Sequence, residues 1–208
     1  MRVILAVLAV FVVLMINEAL WRKRKAHGEF SRKFVHVTVG CFVAFWPFFL
    51  TWRQIELLSL AFLLVVSSSR ILGLFQAIRS VQRPTWGEAC FALSVGIVAF
   101  ATHNKWIYMA ALLEMALADG LAAVVGVRFG QRTSYMFMGH TKSVAGTLTF
   151  FVASMLILVG YSHYGNDVLT VPFMVGLSLV ASVLENASVQ GLDNLLVPLV
   201  VALLLAHH

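Results

Sequence analysis

Four acidic side chains occupy positions where an otherwise apolar sequence has little reason to hold a charge. Glu88, Asp119, Glu185 and Asp193 each lie at or just inside one end of a long apolar segment. A carboxylate inside a membrane costs about 2.5–3.5 kcal/mol on insertion scales, so such residues usually face the interior of a helix bundle. Four acids at one depth therefore predict a shared polar cavity. The alternative is that each acid forms an ordinary ion pair at a helix end.

Basic side chains and glycines accompany these acids. Arg32 and Lys33 precede His36 by four and three residues, so a helix would place all three on one face. Lys142 and Ser143 precede another apolar segment, and the free N–H groups at a helix start favour anions. Further candidates for a phosphate-binding surface, where a glycine backbone can approach closely, are Gly120, Gly126, Arg128, Gly130 and Gly146. Gly126 and Gly130 also fit a small-xxx-small helix-packing motif.

The composition places these residues in a membrane protein. The chain has 208 residues, of which 61% are hydrophobic and 12% charged, and its mean hydropathy is +0.91. A soluble domain is about 45–50% apolar and about 25% charged. A soluble enzyme, a disordered protein and a nucleic-acid-binding module are therefore excluded. The net charge of +6 does not favour nucleic acid, because basic residues mark the cytoplasmic side of membrane proteins.

Eight apolar segments approach the roughly 20 residues that a spanning helix needs. We predict an all-α membrane helical bundle of about eight transmembrane helices. Seven is the alternative, because the fourth and eighth segments are short. One domain is expected over 1–208, with a first span and basic cytoplasmic loop in 1–33 and a catalytic bundle in 34–206. The predicted spans are 3–21, 34–50, 55–72, 88–101, 106–125, 143–161, 168–184 and 192–206.

The basic residues set the predicted orientation. With eight spans, twelve of the 15 Lys and Arg fall on one face of the membrane. The positive-inside rule makes that face cytoplasmic and puts the N-terminus outside. The loops on this face, 22–33, 73–87, 126–142 and 185–191, are also the longer ones. Since long polar loops tend to carry function, the active site is expected to face the cytoplasm.

The residues predicted at one membrane face suit phosphoryl or nucleotidyl transfer assisted by Mg²⁺. They comprise acids, a lysine, arginines and glycine turns. Such chemistry depends mainly on positioning and charge neutralisation, and Mg²⁺ is held by one or two carboxylates together with substrate phosphates. The substrate would be a lipid, because the site lies at the edge of the bilayer. The sequence leaves open whether Asp193, Glu88 or His36 acts as a base.

Five motifs, in order along residues 30–200, resemble those of the polyprenol kinase family. That family includes dolichol, phytol and farnesol kinases and the CTP-dependent diacylglycerol kinase of yeast type. The motifs are Arg32-Lys33-x-x-His36, Pro84-Thr85-Trp86-Gly87-Glu88, Asp119-Gly120 through Gly126-Val127-Arg128-Phe129-Gly130, Lys142-Ser143 through Gly146-Thr147, and Glu185 followed by Asp193-Asn194.

The resemblance implies an integral membrane kinase that transfers the γ-phosphate of CTP to the hydroxyl of an isoprenoid alcohol, with a divalent cation. By position, Asp119 resembles a metal or triphosphate-site acid, and Lys142 a phosphate-binding cation. Glu185 and Asp193 are the further metal candidates. Arg32, Lys33, Glu88 and Asn194 resemble the rest of the polar site.

Several alternatives remain open at this point. The acceptor could be diacylglycerol, or the reaction could be cytidylyl transfer to a lipid phosphate, as in phosphatidate cytidylyltransferases. A third possibility is an anion transporter, since intramembrane charges also mark transport pathways. The sequence leaves open the choice among CTP, UTP and ATP, the chain length of the acceptor and the oligomeric state.

Overall fold

A computed structural model describes residues 1–24, 29–72, 86–165 and 167–208. These residues are mostly helical, in agreement with the predicted fold class. The helices are α1 (Arg2–Arg24), α2 (Glu29–Ala44), α3 (Trp52–Leu72), α4 (Gly87–Thr102), α5 (Lys105–Leu113), α6 (Asp119–Phe129), α7 (Val144–Tyr164), α8 (Val171–Ala187) and α9 (Asp193–Ala206). A π-helical turn, Glu114–Ala118, joins α5 to α6, and a short 3₁₀ turn, Trp46–Phe48, follows α2.

The continuous rod Lys105–Phe129, formed by α5, the π turn and α6, lies at the centre of the bundle. It contacts α2, α4, α7 and α9 along its length. Its start is fixed by Asn104, whose side chain accepts hydrogen bonds from the backbone N–H groups of Trp106 and Ile107 at 2.9 and 3.3 Å. Tyr108 and Leu112 of the rod are fully buried. The rod is therefore the element against which the other helices are positioned.

Each of the eight predicted segments corresponds to a helix, with the rod counted as one. The chief difference is in α2, which begins at Glu29 and ends at Ala44, where Pro47 in the following turn prevents its continuation. Among the described residues, two helices are long and apolar enough to cross a membrane, Lys105–Phe129 and Val144–Tyr164. The count of eight spans stays a prediction.

Residues 126–142, predicted as an irregular loop, contain a β-hairpin. Strand β1 (Ser134–Phe137) pairs antiparallel with β2 (His140–Ser143). The connection is Met138-Gly139, and both residues have positive φ, 46° and 81°. Two positive φ values make a type I′ turn, whose twist matches that of the strands. The hairpin leads directly into α7.

The two ends of the bundle differ in chemistry. One end collects the starts of α2, α4, α7 and α9, the ends of α6 and α8, and the hairpin. The opposite end is aromatic. There Trp106 contacts Phe48 at 5.1 Å between ring centroids and stacks on Tyr164 at 6.3 Å, while Trp52 meets His103 at 5.6 Å. Aromatic rings at one level are typical of a membrane interface.

Candidate active site

An ion pair joins α2 to the beginning of α6. Lys33 donates to Oδ2 of Asp119, whose residue is only 4% exposed. One turn further along α2, His36 Nε2 lies 3.2 Å from the carbonyl oxygen of Met115 and 4.0 Å from Oδ2 of Asp119. Because a carbonyl oxygen can only accept, Nε2 carries the hydrogen. A role for His36 as a base would therefore use Nδ1.

A second ion pair joins the hairpin to α8. Lys142 of β2 donates to Oε1 of Glu185 at 2.5 Å and to its backbone carbonyl at 3.1 Å. The next residue, Ser143, is the N-cap of α7, and its Oγ accepts from the backbone N–H of Gly146 at 3.1 Å. The predicted start of this helix is thus confirmed. The side chain of Lys142 is directed away from the helix start toward an acid on another helix.

A hydrogen-bond network lies on the same face of the hairpin as Lys142. Tyr135 is the register partner of Lys142, so both side chains project from one face of the sheet. The Tyr135 hydroxyl donates to Oδ1 of Asn186 at 3.0 Å and lies 2.7 Å from Oγ1 of Thr147. Asn186 in turn donates to the carbonyl of Ser182 at 2.9 Å. Tyr135 and Asn186 were not predicted as site residues, although Asn186 adjoins a predicted site acid, and Thr147 was named only as the last residue of a motif.

Asp193, the first residue of α9, connects the two ion pairs electrostatically. Its carboxylate interacts with the charges of Asp119, Lys33, Lys142 and His36. Glu185 likewise interacts with Asp119 and Asp193. The structure therefore brings together six of the predicted site residues in what we call the charged cluster. Its members are Lys33, His36, Asp119, Lys142, Glu185 and Asp193.

The charged cluster has the donor types that Mg²⁺ prefers. Within the described ranges, no three or more His, Cys, Asp or Glu side chains lie close enough together to enclose a metal ion. A Mg²⁺ bound with a nucleotide needs one or two carboxylates, and the substrate phosphates complete its coordination. Asp119, Glu185 and Asp193 fit that mode, in which the protein supplies part of the coordination sphere.

The start of α9 is tied to the start of α4. Asn194 donates to the carbonyl of Gly87 at 3.1 Å, and the backbone N–H of Trp86 donates to the carbonyl of Gln190 at 2.9 Å. Gly191 has φ +89°, and a Cβ there would lie 2.5 Å from Cα of Gly87. Only glycine suits that position, because both its φ and the backbone contact disfavour a side chain. Asn194 thus has a local structural role beside the charged cluster.

The predicted site glycines lie at close helix contacts. A Cβ at Gly120 would clash with Cγ2 of Val37 on α2. Gly126 of α6 faces Gly146 of α7, where a Cβ on Gly146 would lie 3.4 Å from Cα of Gly126. A Cβ at Gly130 would clash with the side chain of Ser143. The described contacts of these glycines are therefore those of helix packing, and their contact with phosphate stays a prediction.

Two of the remaining predicted residues, Glu88 and Arg128, lie on α4 and α6. Glu88 is half-buried in the first turn of α4. Arg128 is exposed, with its guanidinium carbon 5.5 Å from the ring centroid of Phe129. Arg32 belongs to α2, but its side chain lies outside the described part of the structure, as do Pro84 and Thr85.

Two named proteins are similar to this chain over most of its length. "Phytol kinase" of Synechocystis sp. is 35% identical, over 92% of this chain and 84% of the relative. "Probable phytol kinase 2, chloroplastic" of Oryza sativa subsp. japonica is 28% identical, over 88% of this chain and 67% of the relative. No family model and no solved structure matches the chain. The extent of these two matches shows that the chain belongs to the polyprenol and phytol kinase family.

Proposed function

We propose that this protein transfers the γ-phosphoryl group of CTP to the hydroxyl of an isoprenoid alcohol of the phytol or polyprenol type. The observation that carries the proposal is the convergence of two lysine–carboxylate pairs and Asp193 at one end of the bundle. The names of both relatives support the reaction and the class of acceptor. The resemblance of the motifs to CTP-dependent kinases supports the choice of nucleotide.

In the protein without nucleotide, the positive charges of the two lysines balance the negative charges of the two carboxylates with which they pair. Lys33 and Lys142 each neutralise a largely buried carboxylate, on Asp119 and Glu185. When a triphosphate binds, both lysines can exchange their carboxylate for a phosphate oxygen. One or both of the carboxylates released by this exchange would then hold Mg²⁺ together with the phosphates. Mg²⁺ supplies charge neutralisation at the phosphates, which is most of what phosphoryl transfer requires.

Asp193 is the best-placed acceptor for the proton of the attacking alcohol. Its carboxylate makes no hydrogen bond to any described residue, and it interacts with the charges of both lysines. His36 is less suited, because its Nε2 is engaged by the carbonyl of Met115 and only its Nδ1 could accept a proton. A loose transition state needs little help from a base, so we expect Asp193 chiefly to orient the alcohol hydroxyl.

We further propose that the protein is embedded in the membrane, with the charged cluster at the cytoplasmic face and the N-terminus outside. Two long apolar helices and the aromatic rings at the opposite end support the embedding. The excess of Lys and Arg in the sequence on the face of the charged cluster supports the orientation. A lipid alcohol could then approach the cluster from the bilayer, while the nucleotide arrives from the cytoplasm.

The decisive experiment measures transfer of label from γ-labelled CTP to phytol and geranylgeraniol by the purified protein in detergent or liposomes. Asp119→Asn and Lys142→Ala should each lower kcat by roughly 100-fold or more, as loss of one preorganised electrostatic contact does elsewhere. Arg53→Ala is the matched control, since Arg53 is exposed near the start of α3, at the aromatic end. Wild-type turnover in both site variants would refute the assignment of the site.

Product analysis separates the competing reactions. Kinase activity releases CDP, whereas cytidylyl transfer to a lipid phosphate releases pyrophosphate. Diacylglycerol supplied in place of phytol tests the other acceptor class, and UTP or ATP in place of CTP tests the donor. Flux of an anion into liposomes without nucleotide would instead support a transporter.

A further inference from the structure

The rod at the centre of the bundle contains a π turn directly before Asp119. The backbone N–H of Asp119 donates to the carbonyl of Glu114, five residues earlier, as well as to that of Ala116. Single π turns inside α-helices are rare, and those that occur are often found at functional sites. A turn of this kind inserts one residue, and each residue of a helix corresponds to about 100° of rotation. The turn therefore determines the direction in which Asp119 projects.

The side chain of Glu114, the first residue of this turn, is buried without a counter-charge among the described contacts. Glu114 is 0% exposed. Its Oε1 accepts from Oγ of Ser154 on α7 at 2.8 Å, and the hydroxyls of Ser154 and Ser178 lie 2.9 Å apart. Its Oε2 has no hydrogen-bond partner. A buried polar group that is only half satisfied destabilises a fold relative to an apolar residue of the same size.

The π turn is held at both ends by side chains of neighbouring helices. Ser154 of α7 bonds the carboxyl group at its beginning. His36 of α2 donates to the carbonyl of Met115, the second residue of the turn. Lys33, also on α2, pairs with Asp119 directly after the turn. If the Ser154 contact were lost, the turn could relax to α-helical geometry and carry Asp119 away from Lys33.

We infer that Glu114 is a positioning residue that, through its bond to Ser154, holds the π turn and so directs Asp119 at Lys33 and the phosphate-binding site. The inference rests on the proposed function, in which Asp119 takes part in phosphoryl transfer. It assigns to Glu114 no contact with substrate. It also explains why an acid persists in an apolar core at a cost in stability.

The test compares Glu114→Leu with Glu114→Gln. The leucine variant should unfold at the same temperature as the wild type or higher, yet lose about tenfold or more in kcat, with KM for the alcohol unchanged. The glutamine variant keeps an oxygen for Ser154 and should retain most of the wild-type kcat. Ser154→Ala should lose kcat as the leucine variant does, but it should also lose stability because it leaves the buried Glu114 carboxyl without its hydrogen bond. The kcat of the double variant should be no lower than that of either single variant. Ser59→Ala, which removes another buried hydroxyl bonded to the carbonyl of Ala92, should keep full activity.

Three outcomes of these activity and stability measurements would overturn the inference. Wild-type kcat in Glu114→Leu would show that the turn does not depend on this side chain. A glutamine variant as inactive as the leucine variant would give the carboxyl group a chemical role. Loss of stability in parallel with loss of activity in Glu114→Leu would show a merely structural role.

A further measurement needs no substrate, so the inference can fail independently of the proposed function. Cysteines at positions 33 and 119, in a protein whose native Cys41 and Cys90 are replaced by alanine, are joined by a short bismaleimide. Crosslinking should be efficient with Glu114 present and should fall several-fold with Glu114→Leu. Equal crosslinking in both backgrounds would overturn the inference even if the kinase reaction is confirmed.

Discussion

At the scale of single residues, the two partners of the Lys33–Asp119 pair differ in their access to water. The side chain of Asp119 is 6% exposed and that of Lys33 is 20% exposed. A lysine deprived of its partner can extend its ammonium group toward water along a flexible stem. The short side chain of Asp119, which lies on the central rod, cannot reach water in this way. Removing the lysine should therefore be the more damaging change.

We expect Lys33→Met to lower the free energy of unfolding by about 3 kcal/mol, because it leaves a buried carboxylate without its ion-pair partner. Asp119→Asn should cost less, and the double variant should recover most of the stability while remaining inactive. Thermal unfolding in detergent, followed alongside phosphate transfer, ranks the three proteins. A double variant less stable than Lys33→Met alone would contradict this account.

The sequence predicted the charged residues of the site better than the neutral ones. Asp119 and Glu185 stand out because a charge inside or at the end of an apolar segment is costly and demands a reason. Lys33, in the predicted basic loop, is indicated by its helical spacing from His36. Tyr135 and Asn186 give no such signal, since hydroxyl and amide side chains are ordinary at loops and helix ends. Nothing in the local pattern links two residues that lie 51 positions apart.

At the scale of elements, the hairpin acts as a support for Lys142. Tyr135→Phe removes the hydroxyl that bonds Asn186 and Thr147. We expect a loss of about 1 kcal/mol in stability, the typical worth of one hydrogen bond, and a several-fold fall in kcat as Lys142 loses its fixed direction. Tyr164→Phe, at the aromatic end, is the control and should match the wild type in both assays. Unchanged kcat in Tyr135→Phe would show that Lys142 is positioned without the hairpin network.

Two roles are possible for Gly120 at the contact between α2 and α6, helix packing and phosphate binding, and a substitution can distinguish them. Gly120→Ala should destabilise the protein by about 1–3 kcal/mol, because the new methyl group clashes with Val37. Adding Val37→Ala should restore both stability and activity if Gly120 serves packing alone. Gly160→Ala is the control, since a Cβ there meets nothing within 4 Å. Restored stability without restored activity would instead indicate that Gly120 contacts the nucleotide.

The helices could be predicted from the length of the apolar segments, but the hairpin and the π turn could not. Each strand has four residues, too few to display an alternating pattern, and Met138 is an unusual residue for positive φ. The π turn is hidden because the buried residues Tyr108, Leu112 and Met115 keep the spacing of an α-helix, and that spacing continues to Asp119. An inserted residue becomes visible only through the backbone hydrogen bonds.

At the scale of the whole molecule, the charged and aromatic ends should face opposite sides of the membrane. Single cysteines test this in a protein whose native cysteines are replaced by alanine. Met138→Cys, at the exposed hairpin turn, should react with a membrane-impermeant maleimide only from the cytoplasmic side. Lys105→Cys, exposed at the aromatic end, should react only from outside. Labelling of both positions from the same side would refute the proposed orientation.

The two ion pairs also divide the chain into halves. Lys33 and Asp119 both precede Gly130, while Lys142 and Glu185 both follow it. Each half therefore carries the lysine that pairs with its own acid, so neither Asp119 nor Glu185 has to enter a membrane without its ion-pair partner. We expect fragments 1–130 and 131–208 to insert separately when they are expressed together. The measurement is kinase activity. We expect it from the two fragments together and not from either fragment alone.

Such fragments would meet where α6 packs against α7 and α4 against α9, contacts that include the hydrogen bond from Asn194 to Gly87. A molecule built in this way can be cut, duplicated or recombined just before its hairpin without separating either lysine from the acid with which it pairs. The balance of charge within each half, rather than the length of any one helix, would then decide where the chain tolerates a break.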